Sequence, residues 1–187
     1  MSAESLVPGF VPETELERAL ARDPVMLEGW AWGAPRRGHP EGSVGNHVAD
    51  LLAMLERWGE TGERRAELRF ISLVHDSLKF AVSPWLLRVG ENHHAMRARR
   101  FAERYTTDER LLVTIELHDR PYHLWRTKWI FKRSERRGLD VLCRRVDDPE
   151  LFVRFVELDG STEGKNSEPI EWCRRQFERR GRLEPAR

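Results

Sequence analysis

The stretch LRFISLVHDSLK, residues 68–79, decides the reading of this chain. Leu68, Ile71, His75 and Leu78 fall on one helical stripe and Phe70 and Val74 on another, so a helix from about 64 to 80 is apolar on more than one side and belongs at the centre of a fold. His75 and Asp76 are carried into that interior. A neutral polar group buried there without a partner loses roughly 2–7 kcal/mol of solvation. An imidazole nitrogen and a carboxylate oxygen from consecutive positions are ligands that a divalent cation of borderline hardness accepts together, and such an ion offsets the loss.

The flanking segments repeat the helical period. Upstream, Val44, Val48, Leu51, Leu52 and Leu55 form one stripe that includes His47. Downstream, beyond a break at Ser83-Pro84, a helix over 94–105 carries Met96, Phe101 and Ala102, and the next aligns Leu111, Ile115 and His118 and ends at Pro121. A long helix from about 138 to Leu158, interrupted at Asp148-Pro149, sets Phe152, Phe155, Val156 and Asp159 on its inner face. At the ends, ETELERALA (13–21) is a short helix, GWAWGAPRRGHPEG (29–42) an ordered loop held down by Trp30 and Trp32, and 169–180 a last helix docking Ile170, Trp172, Cys173 and Phe177. No repeat, low-complexity tract or strand pattern interrupts this, and the expected fold is all-α.

A chain of 187 residues suffices for one well-filled core, so the expectation is a single domain: an N-terminal helix and lead-in over 1–29, a core over 30–166 and a C-terminal helix over 167–187. With 32 basic and 31 acidic residues the formal charge is +1, which gives no global field for nucleic acid or anionic lipid. No apolar run approaches the roughly 18 residues needed to cross a bilayer, and the N-terminus lacks the features of a signal peptide, so a soluble cytoplasmic protein without membrane partners is expected. Cys143 and Cys173 lack Cys-x-x-Cys spacing and read as reduced thiols.

His47, His75, Asp76, His94, His118 and Asp159 lie on or at the ends of different expected helices, each aligned with an apolar face. Several imidazoles and carboxylates directed to one interior need a common counter-charge. A cation supplies it. Iron, manganese, cobalt, nickel and zinc all suit mixed nitrogen and oxygen ligands.

With these residues the chain resembles the HD superfamily of metal-dependent phosphohydrolases, all-helical bundles whose pattern is a histidine, a His-Asp pair and a distant aspartate. The resemblance runs from about 30 to 166. HPEGSVGNHVADLL (39–52) is similar to the opening of the HD domain in several bacterial nucleotide and tRNA-related enzymes, and LVHDSLK (73–79) to the central motif with its lysine. It implies that His47, His75, Asp76 and Asp159 hold one metal. His94, in ENHHAMRARRFA, and His118, in IELHD, match members with additional histidines that bind two. His94 is preferred to His93 because Ala98 follows one turn later, as in the family pattern. Many members have Gly-Lys after His-Asp, whereas here Ser77 and Leu78 precede Lys79.

The implied reaction is hydrolysis of a phosphate ester, a nucleotide or nucleotide-like small molecule, by water that the metal ionises near neutral pH, with Asp76 holding both metal and nucleophile. Lys79, Arg36, Arg37 and Lys165 are the candidates for neutralising the phosphoryl oxygens. Lys165 lies in DGSTEGKN just beyond Asp159, where a turn of backbone amides and an ammonium would face the metal, although a solvated loop lysine is the competing reading. The same string is not a nucleotide phosphate loop, because the glycine spacing is short, Asn166 replaces the serine or threonine, and a helix precedes it. His39 and Glu41 would line the mouth or simply shape the turn. Asp119 and Arg120 are read as a pair behind His118 that orients its ring, or as a surface pair. Between Trp125 and Arg137, basic residues alternate with Trp125, Trp129 and Phe131; packing of both tryptophans on the bundle with the arginines outward is preferred to nucleic-acid binding. A di-iron oxygenase of the same superfamily and a non-catalytic nucleotide sensor are the competing functions, and a homo-oligomer is compatible with all of them.

Overall fold

The computed structural model describes residues 2–35, 40–162 and 165–185. Among these the chain forms short helices α1 (Ala3–Leu6), α2 (Glu15–Leu20) and α3 (Pro24–Ala31), then α4 (Val44–Trp58), α5 (Gly62–Val74), α6 (His94–Ala102), α7 (Glu109–Leu117), α8 (Arg120–Trp129), α9 (Arg136–Arg145), α10 (Pro149–Gly160) and α11 (Glu168–Glu178). The described residues contain no strand, only an isolated bridge between Gly33 and Ser43.

Helix α5 is the axis. Every residue from Glu67 to Val74 is buried, and α4, α7 and α10 pack around it. α4 starts where the Ser43 side chain accepts from the Asn46 amide and stops at Gly59, whose φ of 68° favours a residue without Cβ. α10 has two apolar faces: Leu151, Phe155 and Leu158 join the main core with Leu51, Leu55, Leu68 and Ile71, whereas Phe152, Val153 and Val156 join a second cluster with Leu139, Leu142, Trp172 and Phe177.

Several boundaries differ from the sequence reading. α5 ends at Val74 rather than near 80, because the Ser77 hydroxyl and amide both take the Val74 carbonyl and tighten the chain into a turn. His75 and Asp76 therefore sit in the turn and not on the helix. The expected long helix from 138 to Leu158 is two helices: Pro149 lacks an N–H, Asp148 caps the amide of Leu151, and Arg182 donates to the carbonyls of Cys143 and Val146 at the end of α9. Pro121 does not end α7 but lies in the first turn of α8. Trp30, expected in a loop, is on α3 and fully buried, and its indole N–H donates to the Leu73 carbonyl at 3.0 Å.

The N-terminal segment is fastened to α5 by charge as well as by Val7, Phe10 and Leu20 in the main core. Arg69 donates Nε to Glu17 Oε1 and Nη2 to Glu17 Oε2, both at 2.8 Å, and a further bond reaches the Val11 carbonyl at 2.9 Å. Glu17 is 1% exposed and Arg69 4%, so this pair is closed to water.

Candidate metal centre

The turn after α5 brings His75 and Asp76 against the open end of α4, the start of α6, the end of α7 and the end of α10. Two groups of ligand atoms result, each with its members within 4.8 Å of one another: His47, His75 and Asp76 in one, and Asp76, His94 and His118 in the other. Asp76 belongs to both. Its Oδ2 lies 3.4 Å from His75 Nε2, and its Oδ1 lies 3.3 Å from His94 Nε2 and 3.7 Å from His118 Nε2. Asp159 adjoins the first group, with Oδ1 2.9 Å from His47 Nε2 and 3.8 Å from His75 Nε2.

Local helix chemistry aims the rings. His75 and His118 are the C-cap residues of α5 and α7, and in each the Nδ1–H donates to the carbonyl three residues back, Ser72 at 3.1 Å and Ile115 at 2.8 Å. A carbonyl only accepts, so Nδ1 carries a proton in both rings and Nε2 is the nitrogen turned toward the centre. His93 is the opposite case. As N-cap of α6 its Nδ1 accepts from the Ala95 amide at 3.3 Å, which puts the proton on Nε2. His94, next along, leaves Nε2 buried and unpartnered. The donor set fits a cation: His75 Nε2, Asp76 Oδ1 and His94 Nε2 all face inward without a hydrogen-bond partner, which is costly for buried polar atoms unless a ligand receives them.

Electrostatics follow the same map. Burial pushes the Asp76 carboxyl up, but the neighbouring Lys79, His75 and His118 outweigh it and hold the group well below the usual carboxylate range. Burial opposes ionisation of Asp159 too, and is overcome by Lys165, His47 and His75. Complete burial lowers His75. His118, also buried, is nevertheless raised to about 9 because Asp119, Asp76 and Asp159 surround it.

Lys79 Nζ donates to Asp76 Oδ2, and Lys165 Nζ donates to Asp159 Oδ1 at 2.6 Å and to the Asp159 carbonyl at 2.8 Å. Both ammoniums thus stand at the centre beside its carboxylates, and Lys165 is not a solvated loop lysine. The intervening Glu163 and Gly164 lie outside the described residues, as do Arg36, Arg37 and His39. Glu41 is described: with Trp32 it walls a small concavity that opens onto His47, Asp76 and Lys79. Trp125 packs on the second cluster as expected, but Trp129 is exposed, with Lys128 and Lys132 over its ring.

Two features escaped the sequence reading. Gly29 on α3 presses on the turn so closely that a Cβ there would stand 2.0 Å from the Ser77 carbonyl oxygen. With the bond from Trp30 to Leu73, this clamps both sides of His75-Asp76. Gly29→Ala must displace that turn, and since misplacement by about 1 Å costs ~10²-fold in catalysis, we expect metal affinity and turnover to fall at least tenfold while the far-ultraviolet circular dichroism stays helical. Unchanged metal affinity would contradict the clamp. The second is Asp119. It does not stand behind His118, whose outer nitrogen is already bonded to Ile115, but faces the inner one, Oδ1 to Nε2, at 3.3 Å.

The order of delivery, a histidine on one helix, His-Asp after the next, two more histidines and an aspartate on a late helix, matches an HD-like helical arrangement. Comparison of the chain with family models, with curated proteins and with solved structures finds no significant match.

Proposed function

We propose that this protein is a metal-dependent hydrolase of a small phosphate ester, of the nucleotide class. The observation that carries the reading is Asp76, one carboxylate turned with one oxygen to each of two imidazole groups and flanked by the Lys79 ammonium. His47, His75, Asp76 and Asp159 would hold one ion, and Asp76, His94 and His118 a second. Iron, manganese, cobalt, nickel and zinc suit these donors. Bound there, a divalent ion supplies acidification of water and polarisation of a phosphoryl oxygen.

The chain's own residues do the rest. Lys79 and Lys165 bring positive charge for the phosphoryl oxygens, and Arg36, Arg37 and His39 are assigned to the same anion. The wall of Trp32 and Glu41 offers an aromatic face and an acceptor to the remainder of the substrate. We assign the whole chain, 1–187, to one functional unit, which the shared core of Val7, Phe10 and Leu20 with Leu68 and Ile71 supports.

Protein reconstituted with each of these metals and incubated with nucleoside phosphates and generic phosphate esters is expected to release phosphate. A chelator should stop the release and added metal restore it. Oxygen uptake by the iron form, with no phosphate release under any metal, would instead make it an oxygenase. Recovery of intact nucleotide throughout would make it a sensor.

A further inference from the structure

We propose that Asp119 is a ligand of the second ion and His93 the residue that positions it. This rests on the two-ion reading above and extends it by a carboxylate that the sequence pattern does not supply. His118 and Asp119 are the two residues between α7 and α8, so they form a second His-Asp pair at the end of a helix, as His75 and Asp76 do.

The distances carry the assignment. Asp119 Oδ1 is 3.3 Å from His118 Nε2 and Oδ2 is 3.2 Å from His94 Nε2, while Asp76 Oδ1 is 3.3 Å from His94 Nε2 and 3.7 Å from His118 Nε2. Ligands held tetrahedrally at ~2.0–2.1 Å from one ion stand about 3.4 Å apart. Four of the six separations in such a set are thus close to that length, with Asp119 meeting His118 through Oδ1 and His94 through Oδ2. The first ion has the same composition, His47, His75, Asp76 and Asp159, so each would receive two neutral and two anionic donors, with Asp76 shared. A residue orienting His118 from behind would have to meet Nδ1, and that nitrogen is bonded to the Ile115 carbonyl at 2.8 Å.

His93 then acquires a role. Its Nε2 lies 3.6 Å from Asp119 Oδ2, and because Nδ1 accepts from the Ala95 amide, the atom facing Asp119 is an N–H donor and not a lone pair. It orients the carboxylate from outside the centre, as partners behind metal ligands do. His123, exposed on α8, stands in the same group of ligand atoms as His93 and Asp119.

Cobalt(II) titration of the full chain, read by elemental analysis after equilibrium dialysis and by the visible absorption of each added equivalent, tests this without an activity assay. Wild-type protein should bind two ions. Asp119→Asn, close in shape, should keep the first at unchanged affinity and weaken the second more than tenfold, with loss of its absorption band. His93→Asn retains a side-chain acceptor for the α6 N-terminus and should weaken the second ion less, within the ~10–100-fold range seen for partners behind a ligand. Two ions held by Asp119→Asn at wild-type affinity would overturn the assignment and leave the two-ion centre standing. A wild-type chain that binds one ion overturns the second site itself, and one that binds none overturns the proposed function.

Discussion

The Asp76→Asn protein is expected to purify without bound transition metal and to release no phosphate from any ester that the wild type cleaves. Loss of a partner behind a metal ligand typically costs ~10–100-fold in affinity or activity; Asp76 offers an oxygen to each of two groups, so its loss should exceed that range on both measures. Elemental analysis after dialysis and a phosphate-release assay decide the matter. Metal content and turnover both at wild-type level would end the proposed function. The pH dependence of metal affinity follows from His118, whose proton is held to about 9 by the surrounding carboxylates against the opposing effect of burial. Below that pH an ion must displace the proton, so affinity should rise roughly tenfold per pH unit up to about 9 and then level off. The metal-free fold has the opposite sign: a raised histidine stabilises fully below the unfolded value of about 6.5 and loses that contribution as pH climbs through 9. A flat affinity between pH 7 and 9 would contradict this account of the site.

The largest effect on stability is expected at Arg69. Arg69→Met leaves the Glu17 carboxylate, 1% exposed, with only the Glu13 amide at 2.7 Å as a donor among the described residues. Breaking a buried pair by removing one partner costs about 3–5 kcal/mol, a large part of the ~5–15 kcal/mol that holds a domain folded. The denaturant midpoint should fall accordingly, with an unchanged slope. The Glu17→Leu/Arg69→Met double variant should recover more than half of the loss, since the single variant's penalty is an uncompensated charge and not the absence of attraction. A double variant as unstable as the sum of the singles would show that the two residues act independently.

Why the N-terminus needs such a fastening is visible in its helices. α1, α2 and α3 are too short to be stable alone, so tertiary contacts must hold them. α3 in turn braces the turn that carries His75 and Asp76, through Gly29 and Trp30. The segment read as a lead-in and a loop is thus part of the site's support. Nothing in the spacing of GWAWGAP reveals it, because a close approach of helix to turn depends on where the partner backbone lies.

Much of the rest was legible. The apolar stripes of α4, α5, α7 and α10 are local patterns with a helical period, and burial of one face per helix follows from them before any tertiary contact is known. His47, His75 and His118 could be placed inside by that rule alone, and they are buried. The same rule overran the end of α5, since it counts apolar spacing and is blind to the Ser77 hydrogen bonds that stop the helix. It also set Phe152 and Phe155 on a common inner face, although they enter different clusters on two sides of α10.

Determined by the chain alone, then, were the helical class, the central rank of 68–79 and the residue types able to hold a cation, because each rests on periodicity or on side-chain chemistry within a few turns. Only the tertiary structure decided which oxygen of Asp76 meets which ring and that Asp119 faces the centre. Those depend on ångström separations between elements far apart in sequence, fixed by packing around α5 and encoded in no single stretch of residues.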